Sequence, residues 1–397
     1  MPTSVGPKTY GEENLVFGFD TGDTANSYRG EPTENLVDAF PGTSLPSGFY
    51  WTYEYSASIS DSPVGNHFLS NKKWVKLTKT SATNGRVLFN QNSFTSGSTY
   101  TITAYAFIND SRNTALAFNS DNAGYSQETV DVPYNFTYIG TVQRIRGTWN
   151  QLQNGGSIYG LRGGSTNAIG STIYLTGLQV EENGHPTQLT QGIRSANSGS
   201  LKDLTGNNNI NLSYVNFNSS AEIDYDGTDD YISCDTQPFS GSRDITFLCW
   251  VKSDGALTEA RRGIFSGQNT PAGYISFFGY TGGDNGNILF ETRDPINSTY
   301  QGVSSQGFGI YSGNWNMVGF QIRPGALSVF YANEDDGFYY NESADTRPGF
   351  TFRNFNLGVD SSNFDWNGQI DGVRLFNKAL TRAELEAHYK AFKSRYI

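Results

Sequence analysis

Histidine, cysteine and charge are all scarce in this chain. Its three histidines, His67, His185 and His388, stand in no pattern of neighbours that makes a catalytic base or a metal ligand, which leaves surface or packing roles. Two cysteines, Cys234 and Cys249, are too few for a disulfide framework. They fall in the strand-like runs Tyr-Ile-Ser-Cys and Thr-Phe-Leu-Cys-Trp-Val and read as small core residues, with pairing between neighbouring strands the alternative. No run approaches the roughly 20 apolar residues of a membrane span, and Met-Pro-Thr-Ser-Val-Gly-Pro-Lys lacks the apolar core of a secretory signal. Folding in a cytosol is the expectation. Only 16% of residues are charged, and 27 Lys and Arg face 38 Asp and Glu, a net charge of −11. Nucleic-acid binders concentrate cations along one face, so this balance argues against a nucleic-acid partner. The Gly-x-Ser-x-Gly elbow of an α/β hydrolase is absent, and Gly282-Gly-Asp-Asn-Gly286 lacks the Lys-Ser/Thr ending of a phosphate loop.

What is abundant points to one class. Aromatic residues make up 14% of the 397, with 27 Phe, 24 Tyr and 6 Trp, and 45 glycines accompany them. Disordered chains are charged and aromatic-poor, so disorder is excluded. Short strands joined by tight turns account for the rest: the composition is all-β, with length for two domains or three. Residues 1–32 carry one apolar run, Leu15-Val-Phe-Gly-Phe19, among turn formers, and read as an N-terminal arm with at most one strand. Alternating runs then recur at Tyr50–Tyr55, Lys73–Thr78, Tyr100–Tyr105, Arg144–Trp149 and Ser171–Thr176, which predicts an antiparallel sandwich over 33–190. A polar, glycine-containing stretch, 191–206, reads as a linker. A second sandwich is expected over 207–397, with runs at Ala221–Tyr225, Ile245–Val251, Tyr274–Phe278, Asn316–Ile322, Leu327–Tyr331 and Gln369–Phe376. Thr381-Arg-Ala-Glu384 is a capping-box pattern, and Leu385, Tyr389, Phe392 and Tyr396 follow on one helical face, so a single capped helix closes the chain.

One acidic pattern bears on chemistry. In Glu222-Ile-Asp-Tyr-Asp226 three carboxylates alternate along a strand and project to one face. Neighbours on such a face stand about 6.6–6.8 Å apart, close to the separation that paired carboxylates need for glycoside cleavage. Glu222, Asp224 and Asp226 are therefore the candidate catalytic set of an alternative, hydrolytic reading. The other reading is a solvent-facing strand whose Ile223 and Tyr225 are buried, ending in the turn Asp226-Gly-Thr-Asp-Asp230.

The stretch Ile223-Asp-Tyr-Asp-Gly-Thr-Asp-Asp-Tyr-Ile232, then Ile245-Thr-Phe-Leu-Cys-Trp-Val-Lys252, then Trp366-Asn-Gly-Gln-Ile-Asp-Gly-Val-Arg-Leu-Phe376 leading into the capped helix, resembles the concanavalin A-like, laminin-G-type jelly roll. Members of that family bind glycans or proteins, some with calcium, and some are hydrolases. Glu222-x-Asp-x-Asp226 is similar to the Glu-x-Asp-x-Glu signature of its glucanases, with Asp at the expected acid/base. The first sandwich, from Thr33-Glu-Asn-Leu-Val37 to Tyr174-Leu-Thr-Gly-Leu-Gln-Val-Glu-Glu182, is similar to carbohydrate-binding-module jelly rolls. Its ending, with Pro186-Thr187, resembles tailed-bacteriophage structural proteins, as do Gly192-Ile-Arg-Ser195 and Asp203-Leu-Thr-Gly-Asn207. The resemblance implies a non-enzymatic virion component, a fibre, collar, appendage or decoration subunit, whose arm docks to the particle and whose lectin-like domains face host glycans. Other virion proteins and further copies of the chain are the implied partners. A glycan-degrading depolymerase and a secreted carbohydrate-binding protein are the alternatives. Calcium is the implied cofactor, since hard cations take clustered carboxylates. Its candidate ligands are Glu34 and Glu181 in the first sandwich, and Asp226, Asp229 and Asp371 in the second.

Overall fold

The computed structural model describes residues 12–37, 40–44, 49–52, 55–81, 86–109, 116–120, 125–129, 139–151, 155–163, 168–196, 199–218, 222–234, 244–255, 261–269, 273–280, 287–293, 300–310, 313–333, 337–345, 352–360 and 364–397. Two compact units divide the chain: Pro32–Arg194, and a unit assembled from Met1–Glu31 with Ser195–Ile397. Ten Lys and Arg balance ten Asp and Glu within Pro32–Arg194, so the net charge of −11 belongs to the other unit. No helix among the described residues is long and apolar enough to cross a membrane.

In Pro32–Arg194 one antiparallel sheet runs in the order Tyr55–Ser60, Trp74–Lys79, Thr172–Glu181, Thr99–Ile108, Gln143–Gln151, Tyr125–Thr129. A second sheet orders Phe49–Thr52, Arg86–Phe94, Gly155–Gly163 and Leu116–Ser120. Strand alternation sends Val75, Leu77, Ile102, Ala104, Ile145, Ile173 and Leu175 into the core. It leaves Trp74, Lys76, Tyr105, Phe107, Arg144 and Tyr174 on the opposite face of the six-stranded sheet. There Leu69, Trp74 and Phe107 form a smaller cluster with Phe40, Tyr105 and Tyr174. Thr33–Glu34 pairs with Ile193–Arg194 and joins the two ends of the unit.

The other unit is a sandwich of two larger antiparallel sheets around one core, to which Phe247, Phe265, Phe277, Phe290 and Phe320 contribute. One sheet orders Asn216–Phe217, Ile223–Asp226, Asn367–Phe376, Ile245–Ser253, Asn316–Arg323, Gly325–Asn333 and Gly337–Asp345. The facing sheet orders Ile210–Ser213, Tyr231–Cys234, Phe352–Leu357, Arg262–Asn269, Gly273–Tyr280, Asn287–Arg293 and Tyr300–Gly309. Cys234 and Cys249 form no disulfide and are buried in this core. The closing helix, Arg382–Tyr396, has the full capping box: the Thr381 hydroxyl accepts from the Glu384 amide, and Glu384 accepts from the Thr381 amide. Leu385 and Tyr389 are buried, and Trp250 stacks between Tyr389 and Tyr396 at 5.7 and 4.5 Å. His388 is also buried, edge-on to Phe376.

Two boundaries differ from the sequence reading. The described part of the N-terminal stretch, 12–32, holds the one strand its sequence offers, and that strand packs into the second unit rather than standing apart from it. Leu15–Phe19 is a strand paired with Val373–Phe376, and Phe17 and Phe19 are fully buried in the core. The physical reason lies in Asn367–Phe376: its first half pairs with Ile223–Asp226, and its second half offers an open edge that Leu15–Phe19 fills. The described residues of 191–206 are likewise held by specific contacts, unlike a plain linker. Ile193–Arg194 pairs as described, Leu201 bridges Tyr28, and the Asp203 carboxylate accepts from the Gly18 amide at 2.9 Å. Short polar side chains there serve as backbone acceptors, a use that linker-like composition conceals.

Candidate functional site

Ile223–Asp226 alternates as its sequence requires, with Ile223 and Tyr225 in the core, Asp224 half-buried and Asp226 exposed. Glu222, which precedes the strand, and Asp224 and Asp226 within it are tied to separate partners. Asn218 Nδ2 donates to Glu222 Oε2 at 2.6 Å. Gln369 Nε2 donates both to Asp224 Oδ1 at 2.6 Å and to Asp254 Oδ1 at 3.1 Å. The Thr228 amide donates to Asp226 Oδ1 at 2.8 Å, which closes an Asx turn.

That turn gathers a different acidic set. The Asp226 amide donates to Asp230 Oδ2 at 2.7 Å, and carboxylate oxygens of Asp226, Asp229 and Asp230 lie within 4.8 Å of one another. Burial pushes the Asp230 carboxyl up; the Asp226 amide opposes this, and the charges of Asp226, Asp229 and Asp224 add to it. Asp365 is also raised, by burial first and then by Asp229, with Arg262 opposing. Tyr225 underlies the turn, its phenol driven well up by burial and then by Asp230, and its Oη has no partner among the described residues. Gly358, at φ +88°, makes room for that ring: a Cβ there would stand 2.3 Å from a Tyr225 ring carbon. Hard carboxylate oxygens this close together suit calcium.

The expected calcium sets are otherwise redistributed. Asp371 is not part of the turn cluster. Its carboxylate is buried and accepts from the Thr21 amide and hydroxyl, from Tyr396 Oη and from Arg395. Those donors occupy the lone pairs that a cation would use. Its place beside Asp226 and Asp229 is taken by Asp230, which the doubled aspartate of the turn could have signalled. Glu34 and Glu181 lie in the other unit, Pro32–Arg194, with different surroundings. Glu34 is exposed and pairs with Ile193, while buried Glu181 accepts from the Thr187 amide at 2.9 Å, the Thr187 hydroxyl at 2.7 Å and the Thr33 hydroxyl at 3.0 Å. The same Thr187 hydroxyl accepts from the buried Arg194, which brings a protein cation to that spot.

Residues 226–386 match the model of the concanavalin A-like lectin/glucanases superfamily, laminin-G type. Among solved structures, domain 4 of a GH43 extracellular arabinanase from Geobacillus stearothermophilus, in complex with arabinotriose, is 20% identical with a TM-score of 0.34, over 47% of this chain and 90% of that one. The enzymatically active domain of tailspike protein 2 from bacteriophage CBA120 is 12% identical with a TM-score of 0.34, over 46% of this chain and 29% of that one. Domains LG4–5 of the mouse laminin α1 chain are 9% identical with a TM-score of 0.29, over 76% and 92%. No curated protein matches the chain.

Proposed function

We propose that this chain is a non-enzymatic structural protein of a tailed-bacteriophage virion, a fibre, collar, appendage or decoration subunit, whose lectin-like fold binds host-surface glycans. The observation that carries the non-enzymatic reading is the separate tethering of Glu222, Asp224 and Asp226 to Asn218, Gln369 and Thr228. A glycosidase aims two such carboxyls at one scissile bond, whereas here each is oriented by a different neighbour. Carboxylates and amides that accept and donate without moving protons suit recognition of sugar hydroxyls instead. Calcium is the proposed cofactor, held by Asp226, Asp229 and Asp230, where it would fix the turn and offer coordination positions to ligand oxygens. Other virion proteins and further copies of the chain are the proposed partners, and the virion the proposed location.

Two measurements test this. Wild-type protein incubated with host polysaccharide is expected to bind it and release no new sugar ends; release that disappears in Glu222→Gln would establish the hydrolase instead. Mass spectrometry and antibody labelling of purified particles are expected to find the chain on the virion. Its presence only as free secreted protein would overturn the virion assignment.

A further inference from the structure

The six-stranded sheet of Pro32–Arg194 turns a basic, aromatic face away from its core. Its register sets Lys76 opposite Tyr174 and Tyr174 opposite Phe107, while the adjacent row sets Thr176 opposite Tyr105 and Tyr105 opposite Arg144. Phe68, 55% exposed, stands edge-on to Tyr105 at 5.3 Å, and the Tyr174 and Phe107 rings meet at 6.0 Å. Lys72 Nζ lies 4.8 Å from the centre of the Phe40 ring, and the Arg144 guanidinium lies 5.8 Å from that of Tyr105.

Among the described residues no carboxylate compensates the charges on this face. Arg144 donates to the Thr103 hydroxyl and the Thr187 carbonyl, both neutral, and neither Lys72 nor Lys76 has a carboxylate partner among the described residues. The carboxylates nearby are already engaged. Asp61 pairs with Lys73, Glu181 is buried under three donors, and Glu182 accepts from Tyr100 Oη at 3.3 Å. In a chain where acids outnumber bases by eleven, this face gathers three cations with no carboxylate partner among the described residues around the exposed Phe68 ring and the half-buried Tyr105 and Tyr174 rings.

We infer that this face binds anionic glycans, sugars bearing carboxylate or sulfate groups. Rings such as Phe68 and Tyr174 offer apolar platforms to the C–H face of a pyranose, and Lys72, Lys76 and Arg144 meet its anionic substituents. The Lys76 and Arg144 strands are three strand spacings apart, about 14 Å, a span that suits an oligosaccharide better than a single small ion. The inference rests on the glycan-binding reading and names the ligand class and the surface for it.

The test uses the full chain, with calorimetric titration of oligoalginate and of neutral arabinotriose. Oligoalginate is expected to bind the wild type and to bind roughly tenfold more weakly on moving from 0.02 to 0.2 M salt, as screening shortens the reach of the cations. Lys72→Glu/Lys76→Glu is expected to lose tenfold or more for oligoalginate with an unchanged melting curve, and Phe68→Ala several-fold with the salt response retained. On the wild type, oligoalginate but not arabinotriose should protect Lys72 and Lys76 from acetylation, a readout that holds whether or not the variants fold. Equal affinity of wild type and double variant, or unprotected lysines, would overturn the inference while leaving glycan binding intact. Binding of arabinotriose alone would do the same. No binding of either sugar would sink the glycan-binding reading with it. If the double variant changes only the oligomeric state, the face is an interface between copies and the inference fails.

Discussion

Thr21 and Asp371, 350 residues apart in the chain, are joined by two hydrogen bonds, from the Thr21 amide to Oδ1 at 2.9 Å and from its hydroxyl to Oδ2 at 2.8 Å. Tyr396 Oη adds a third at 2.9 Å, and Arg395 reaches both Asp371 and Asp20. One buried carboxylate therefore fastens the N-terminal strand and the end of the closing helix to the Asn367–Phe376 strand. Asp371→Ala strands the buried Thr21 donors. It is expected to cost about 2–4 kcal/mol by urea unfolding, toward the low end because the Arg395 guanidinium is part-exposed and screened. A loss below about 0.5 kcal/mol, the level of an ordinary surface change, would show that the fastening is dispensable.

The turn carboxyls set a pH dependence. Asp230 and Asp365 both titrate above their ordinary carboxylate values in the folded protein. The folded state therefore holds their protons more tightly than the unfolded chain. The stability they contribute is complete below the unfolded carboxylate range and is lost as pH rises through the raised folded values. With chelator present, the melting temperature of wild type relative to Asp226→Asn/Asp229→Asn should fall across that interval. Calcium should reverse the fall at neutral pH in the wild type only. A calcium response equal in both proteins would remove the turn as the ion's site.

The helix cap gives an opposite sign. Glu384 is held below its ordinary value, first by the hydrogen bond from Lys378 and then by the Thr381 amide. Its stabilisation is present above the unfolded value and lost as pH falls through the folded one. Thr381→Ala should cost about 1 kcal/mol at neutral pH. Thermal melts at neutral and acid pH check both statements, and the cost should shrink in acid as Glu384 protonates and releases its half of the box.

Gly358→Ala tests the seat beneath the acidic turn. The new methyl meets the Tyr225 ring on a left-handed backbone, so a loss of at least about 1–3 kcal/mol is expected. Calcium titration should weaken in parallel, because displacing Tyr225 moves the strand that carries Asp226. Unchanged stability would mean that the ring has room to withdraw.

Much of the architecture was readable because alternation and capping are local. The runs Ile245–Val251, Asn316–Ile322 and Gln369–Phe376 are strands, and Thr381 with Glu384 caps the helix. What was not readable depends on contacts between distant residues. Leu15-Val-Phe-Gly-Phe19 reads as a strand in isolation, but nothing nearby states that its partner is Val373–Phe376. Asp371 looks like the other turn aspartates, and only the arrival of Thr21 and Arg395 separates it from them. Lys76, Tyr105, Tyr174 and Arg144 come from four strands and become one surface only through pairing register.

Leu15–Phe19 belongs beside a strand that leaves the ribosome more than 350 residues later. At roughly 5–20 residues per second, Phe17 and Phe19 spend on the order of 20–70 s without their core, while all of Pro32–Arg194 is synthesised in between. The intervening unit can fold first, on contacts of its own. Until Val373–Phe376 emerges, Phe17 and Phe19 stay open to chaperones and to other chains.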